Sequence, residues 1–206
     1  MKNKITYLPI GILTVTTALA GVALSSSEVA ADTSGSKTAA VTVGTSCTFT
    51  GSTTYSESLS LYAGSLVESS TSRSPYTITC NNSSGFLVKA VGNSPDSTHP
   101  SGNEGNTGMY NSTADVTIPT GTSGSDSYWS FKIGFAYAST GTYEVASGYN
   151  TYHTIPNEAT TVVSYGSSSS IMMIGMFRPD YQVYAKMAQT AGSYVGSVKY
   201  TIVQNA

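Results

Sequence analysis

The clearest alternation of apolar and polar positions lies at the C-terminal end of the chain. Between residues 194 and 203, Tyr194, Val198, Tyr200 and Ile202 recur with a period of two, which predicts a long strand. Residues 181–187 alternate in the same way, and the connection at 189–192 is short and ends in Gly192. We expect the two segments to form a hairpin that closes a sheet.

Shorter segments of β character follow one another through the rest of the chain. Residues 93–107 are instead rich in Gly, Ser, Pro and Asn and predict a long surface loop, while the Tyr-rich stretch 143–155 is ambiguous. No helical period is present after residue 31. The further predicted strands are 39–49, 57–66, 76–80, 86–91, 109–118, 127–137, 160–165 and 171–177. Many short strands at this spacing indicate an all-β protein, an antiparallel β-sandwich.

The N-terminus has the pattern of a secretory signal. Lys2 and Lys4 precede an apolar run over residues 5–24, and small residues at 29–31 suit cleavage before Asp32. The alternative is a retained membrane anchor, because a run of this length could just span a bilayer. We favour removal, which leaves residues 32–206 as one β-sandwich domain, secreted and without a membrane segment.

Composition supports an extracellular β-protein. Only 10% of residues are charged, 15 are Tyr, and Ser and Thr supply most of the polarity. The net charge is −2 and the seven Lys and Arg after residue 31 are scattered singly, which excludes nucleic acid as an expected partner.

Cys47 and Cys80 are the two cysteines of the chain and lie at the ends of predicted strands. In an exported protein this favours a structural disulfide. A redox or metal role is a weaker alternative, since the chain has no Cys-x-x-Cys and neither histidine is close in sequence.

No motif for catalysis or for a cofactor is present, and we predict a protein that is not an enzyme. His99 and His153 lie in polar, loop-like contexts and are expected to be solvated. Asp96 and Glu104 could offer oxygens to Ca²⁺, but such sites usually need more carboxylates at defined spacing, so no metal is predicted. Met172, Met173 and Met176 are expected in the core.

Aromatic residues supply the candidate recognition sites. Tyr143, Tyr149 and Tyr152 alternate poorly and are predicted to form an exposed patch, since Tyr is a favoured contact residue. Trp129, with Phe131 and Phe135, is expected in the core between the sheets, with sugar stacking as the alternative. Asn81, Asn82 and Asn111 lie in sequons for N-glycosylation.

Three motifs carry a resemblance to a known group. They are Val-Thr-Val-Gly-Thr-Ser-Cys at 41–47, Tyr-Thr-Ile-Thr-Cys-Asn at 76–81, and Ala-Gly-Ser-Tyr-Val-Gly-Ser-Val-Lys-Tyr-Thr-Ile at 191–202. Together they resemble the spore-coat-U-like domain, which is similar to archaic pilin subunits and, more loosely, to WxL-type surface domains. The resemblance implies an immunoglobulin-like sandwich with a disulfide between its first strands. The middle, residues 93–165, matches little, and no Trp-x-Leu pair occurs.

The resemblance also implies a structural or adhesive role at the bacterial cell surface, as a coat or pilus-like subunit. Its partner would be a second copy, through strand donation by residues 32–46, or a glycan or protein of a host surface. Residues 32–46 could equally be the first strand of a self-complete domain. The alternative function is a monomeric glycan- or peptide-binding module that stacks ligands on Trp129 or the three tyrosines.

Overall fold

The computed structural model describes residues 46–50, 54–61, 64–68, 74–170 and 172–205. These residues form strands, turns and loops, and none belongs to a helix that could cross a membrane. The predicted signal, the predicted donor segment and most of the first predicted strand lie outside the described residues. The strands are β1 (Cys47–Thr50), β2 (Thr54–Leu61), β3 (Ser65–Glu68), β4 (Tyr76–Cys80), β5 (Phe86–Gly92), β6 (Met109–Asn111), β7 (Val116–Ile118), β8 (Tyr128–Ala138), β9 (Tyr143–Val145), β10 (Thr160–Tyr165), β11 (Met173–Ala185) and β12 (Gly192–Gln204).

The strands form two sheets in which every pairing between strands is antiparallel. The five-stranded sheet has the order β1-β4-β11-β3, with β8 on the other edge of β11. The seven-stranded sheet has the order β7-β6-β12-β5-β10-β9, with β2 on the other edge of β12. The prediction of an antiparallel all-β fold is therefore confirmed.

The inner faces of the two sheets meet in a core dominated by aromatic rings. Trp129 and Tyr181 of the five-stranded sheet and Tyr165 and Tyr200 of the seven-stranded sheet are all fully buried. Gly196 on β12 faces Trp129, and a Cβ there would lie 2.7 Å from the indole Cη2 atom. The alternation of each strand thus places its bulky residues in one layer between the sheets. Gly196 leaves space in this layer for the Trp129 indole.

The predicted C-terminal hairpin is wrong. β11 and β12 lie in different sheets, so the turn between them joins the two layers and does not pair the strands. Their inward side chains meet across the core instead, and the hydroxyl oxygens of Tyr181 and Tyr200 are 2.8 Å apart. Each strand has partners on both edges within its own sheet, so β11 and β12 are interior strands of two different sheets.

β11 also joins the two predicted segments 171–177 and 181–187 into one strand. It runs through Pro179, where a bulge shifts its register with β8 between Arg178 and Pro179. Beyond this bulge Phe135 is 40% exposed, which corrects its expected place in the core beside Trp129. Met172, expected in the core, is 54% exposed because β11 begins only after it.

Most of the other predicted segments are found where expected. β4 and β10 coincide with their predictions, and the long loop before β6 contains no strand. The predicted strand 57–66 instead divides between β2 and β3, which lie in opposite sheets.

Candidate strand-acceptor groove

Two of the four aromatic residues considered for recognition are inside the protein. Trp129 is fully buried, and its indole Nε1–H donates to the Thr107 carbonyl at 2.5 Å. Tyr149 is 5% exposed and packs against Phe131 and His153, with ring centroids 5.4 and 4.5 Å away. Tyr149 therefore cannot serve in an exposed patch, because the loop before β10, to which it belongs, turns its ring inward against Phe131 and His153. The core position expected for Trp129 is confirmed.

The other two tyrosines are separated. Tyr143 is 48% exposed and lies on β9, at the margin of the seven-stranded sheet. Tyr152 is half-buried beside the five-stranded sheet, with the Lys132 Nζ atom 4.4 Å from its ring centroid. Burial, together with the nearby carboxylates of Asp180 and Glu68, raises the pKa of Tyr152 to about 12. The structure thus does not bring the predicted patch together as one surface.

A different feature stands out on β12, where residues 200–204 have no partner among the described strands on one edge. On the β2 side, the register ends with Lys199 opposite Thr54. Residues 200–204 pair with β5 on their other edge, and no described strand pairs with them on the β2 side. An edge of this kind offers a row of backbone N–H and C=O groups to a further strand.

A groove lies along this unpaired edge. It has a volume of about 350 Å³ and runs between β12 and β1 of the opposite sheet. Its wall on the β1 side is held by the predicted disulfide, which is confirmed: Cys47 and Cys80 face each other on β1 and β4, with their Cα atoms 4.0 Å apart. The lining residues are Cys47, Phe49, Lys199, Tyr200, Thr201 and Ile202.

The groove lies at a partly covered margin of the aromatic core. Phe49 lies 5.3 Å from Tyr76 and 6.0 Å from Phe177 between ring centroids, and Phe177 lies 5.2 Å from Tyr200. Tyr200 is fully buried, and burial raises its pKa well above the usual value, so its hydroxyl stays protonated. Phe49, Tyr76 and Ile202, by contrast, are only partly buried although they pack against the core.

The residues considered for metal or acid–base chemistry are engaged elsewhere. Asp96 accepts hydrogen bonds from Thr98 and His99, which hold the pKa of its carboxyl well below the usual range, and Glu104 pairs with Lys199 at 2.6 Å. His99 is exposed as expected, whereas His153 is half-buried against Tyr149. The described part of the chain holds no group of three or more side chains arranged to bind a metal ion.

Sequence reasoning named the disulfide but not the groove. The alternation of residues 194–203 places Tyr200 and Ile202 on the inner face, which is the one available signal. Whether that stretch of β12 has a neighbour depends on where β2 ends, and that is a property of the sheet and not of β12.

Comparisons with protein-family models, with curated proteins and with solved structures found no match to this chain.

Proposed function

We propose that this protein is a secreted, non-enzymatic component of a bacterial cell surface, a coat or pilus-like subunit that assembles by accepting a β-strand from a neighbouring copy. The observation that carries the proposal is the edge of β12 at residues 200–204, which pairs with no described strand on the β2 side and borders a groove over the aromatic core. An added strand would pair with this edge and cover Phe49 and Ile202.

Strand addition suits the chemistry of the groove. Backbone hydrogen bonds to an open edge give affinity, and the alternate side chains of the added strand give specificity by entering the space beneath. The segment 32–46 ends in such a pattern, since Ala39, Val41 and Val43 alternate with Ala40 and Thr42. Its small apolar residues match a groove of about 350 Å³ better than large ones would.

The proposed fold is an immunoglobulin-like sandwich. Two packed antiparallel sheets support it, together with a first segment that passes from β1 in one sheet to β2 in the other. The disulfide between β1 and β4 suits an oxidising, extracellular setting, in keeping with the signal-like N-terminus. The resemblance to spore-coat-U-like and archaic pilin domains agrees with these features.

The experiment compares purified residues 32–206 with a form that lacks 32–46, by light scattering and negative-stain electron microscopy. We expect oligomers or fibres from the longer form and monomers from the shorter one. A synthetic peptide of residues 32–46 should bind the shorter form. Stable monomers in both forms, with no binding of the peptide, would contradict the proposal.

A point variant tests whether the groove itself accepts the added strand. Ile202→Lys puts a charge where the added strand would bury an apolar side chain, and we expect the folded variant to stay monomeric. Thr117→Lys is the matched control, because Thr117 is exposed on β7 at the far margin of the same sheet. Assembly of the Ile202 variant to the same extent as the control would count against the groove.

The alternative function is a monomeric module that binds a glycan or peptide. Because Trp129 and Tyr149 are buried, the candidates for this role that remain are the exposed Tyr143 and the half-buried Tyr152. Monomers in both forms of the assembly experiment would favour this alternative.

A further inference from the structure

We propose that a second cavity, whose lining contains none of the three tyrosines of the predicted patch, binds a neutral saccharide. This cleft has a volume of about 610 Å³, within the range of small-molecule sites. It lies between the long loop after β5 and the β6–β7 hairpin, with Val195 of β12 in its lining. Val195 alternates with the core residues Tyr194 and Gly196, so the cleft is on the outer face of the seven-stranded sheet.

The loop that forms one wall is held in place although it contains no strand. The Asn106 side chain donates from Nδ2 to the carbonyls of Ser94 and Pro95, each at 3.1 Å. The buried Ser94 hydroxyl accepts the Ser197 N–H at 3.0 Å, which fixes the loop to β12. A wall fixed in this way spares a ligand the entropic cost of ordering it.

The opposite wall is equally fixed. Asn111 is buried, and its Oδ1 atom accepts the N–H groups of Thr113 and Ala114, which sets the turn between β6 and β7. The Tyr110 hydroxyl donates to Asp115 Oδ1 at 2.8 Å and so orients that carboxylate beside the cleft. This bond, with the negative charges of Asp115 and Asp96 nearby, raises the pKa of Tyr110.

The lining determines the class of ligand. Its charged residues, Asp96 and Asp115, are both carboxylates, which accept hydrogen bonds and repel anions. Ser97 and Ser112 add hydroxyls, and Pro95, Pro100 and Val195 add apolar surface. A sugar combines hydroxyl donors with an apolar C–H face, and so satisfies both kinds of lining at once.

The cleft and the strand-acceptor groove are separate, so either proposal can fail alone. The cleft is on the outer face of the sheet, whereas the groove opens at the sheet edge on the β2 side of β12. Together they would make the protein an adhesive subunit, but saccharide binding requires no assembly.

Calorimetric titration of residues 32–206 tests the cleft with four probes, the methyl glycosides of glucose, galactose, mannose and N-acetylglucosamine. We expect at least one to bind, and Asp115→Asn to weaken it about tenfold through loss of a charge-assisted hydrogen bond. Asn is the suitable replacement because the φ angle of residue 115 is 52°, a region that Asn tolerates. Ser97→Trp, which fills the cleft from an exposed loop position, should abolish binding.

Asp126→Asn is the matched control, since it removes the same charge from an exposed site outside the lining. The affinity of the Asp126→Asn variant for the sugar should equal that of the native chain. Binding of none of the four sugars, or binding unaffected by Ser97→Trp, would overturn the proposal. So would binding of cadaverine in their place, which would instead assign the carboxylates to an organic cation.

Discussion

At the scale of single residues, buried polar side chains fix the turns of this protein. Asn82 is 6% exposed and makes three hydrogen bonds: its Nδ2 atom donates to the Asn205 carbonyl at 2.8 Å and to the Gly85 carbonyl at 3.3 Å, and its Oδ1 atom accepts the Ser84 N–H at 2.9 Å. These bonds tie the turn after β4 to the C-terminal end of the chain.

We therefore predict that Asn82→Ala lowers the free energy of unfolding by about 2 kcal/mol, because it leaves buried backbone groups without partners. Asn150→Ala, at an exposed turn, should change it by less than about 0.5 kcal/mol. Urea denaturation followed by fluorescence measures both. Equal midpoints for the two variants would show that the Asn82 bonds do not contribute.

Residue type alone did not reveal which side chains are accessible. Asn82 and Asn111 lie in sequons, yet both are buried and hydrogen-bonded, so only Asn81 of the three is exposed. Tyr149 likewise lies in a stretch with no alternation and is nevertheless buried, because a loop folds it against Phe131. Loop residues have no period from which burial can be inferred.

At the scale of elements, the sequence predicted strands well and their partners poorly. β4, β5 and β10 follow from local alternation and turn residues, which are properties of the segment itself. The pairing of β11 with β12 was wrong because the short connection at 186–191 suits an arch between sheets as well as a hairpin. The disulfide was predictable, since the signal-like pattern at the N-terminus and the two cysteines are both local features of the sequence.

We predict that the Cys47–Cys80 disulfide helps to hold β1 against β4. Replacing both cysteines in Cys47→Ser/Cys80→Ser should lower the free energy of unfolding by about 3–4 kcal/mol, on the chain-entropy estimate for a loop of this length. We also expect faster hydrogen exchange at Thr48 in β1 than in the native chain, with little change at Phe131 in β8, which pairs with β11 and not with β1. Unchanged exchange at Thr48 would mean that pairing with β4 suffices to hold the strand.

At the scale of the whole molecule, neither candidate site could be predicted from the sequence. The groove exists because β2 ends opposite Lys199, and the cleft exists because a loop and a hairpin meet over β12. Both depend on segments that are distant along the chain. Composition did indicate the character of the interior, since a chain with 15 Tyr and few charges builds its core from aromatic rings.

An interior rich in tyrosine makes the protein sensitive to alkaline pH. Burial raises the pKa of Tyr152 to about 12, and it also raises the pKa values of Tyr165 and Tyr200 above 10.0, the value of an unperturbed phenol. Above about pH 10 the unfolded chain releases protons that the folded chain retains, so the free energy of unfolding must fall as pH rises. Below about pH 10, these tyrosines make their full contribution to the free energy of unfolding.

Urea denaturation at several values between about pH 8 and 11 measures this slope. Tyr152→Phe should make the fall shallower, because phenylalanine has no proton to release, whereas Tyr137→Phe removes a tyrosine that is 45% exposed and serves as the control. A flat profile in the native chain would mean that its phenols ionise without unfolding, and the aromatic interior would then have to admit water.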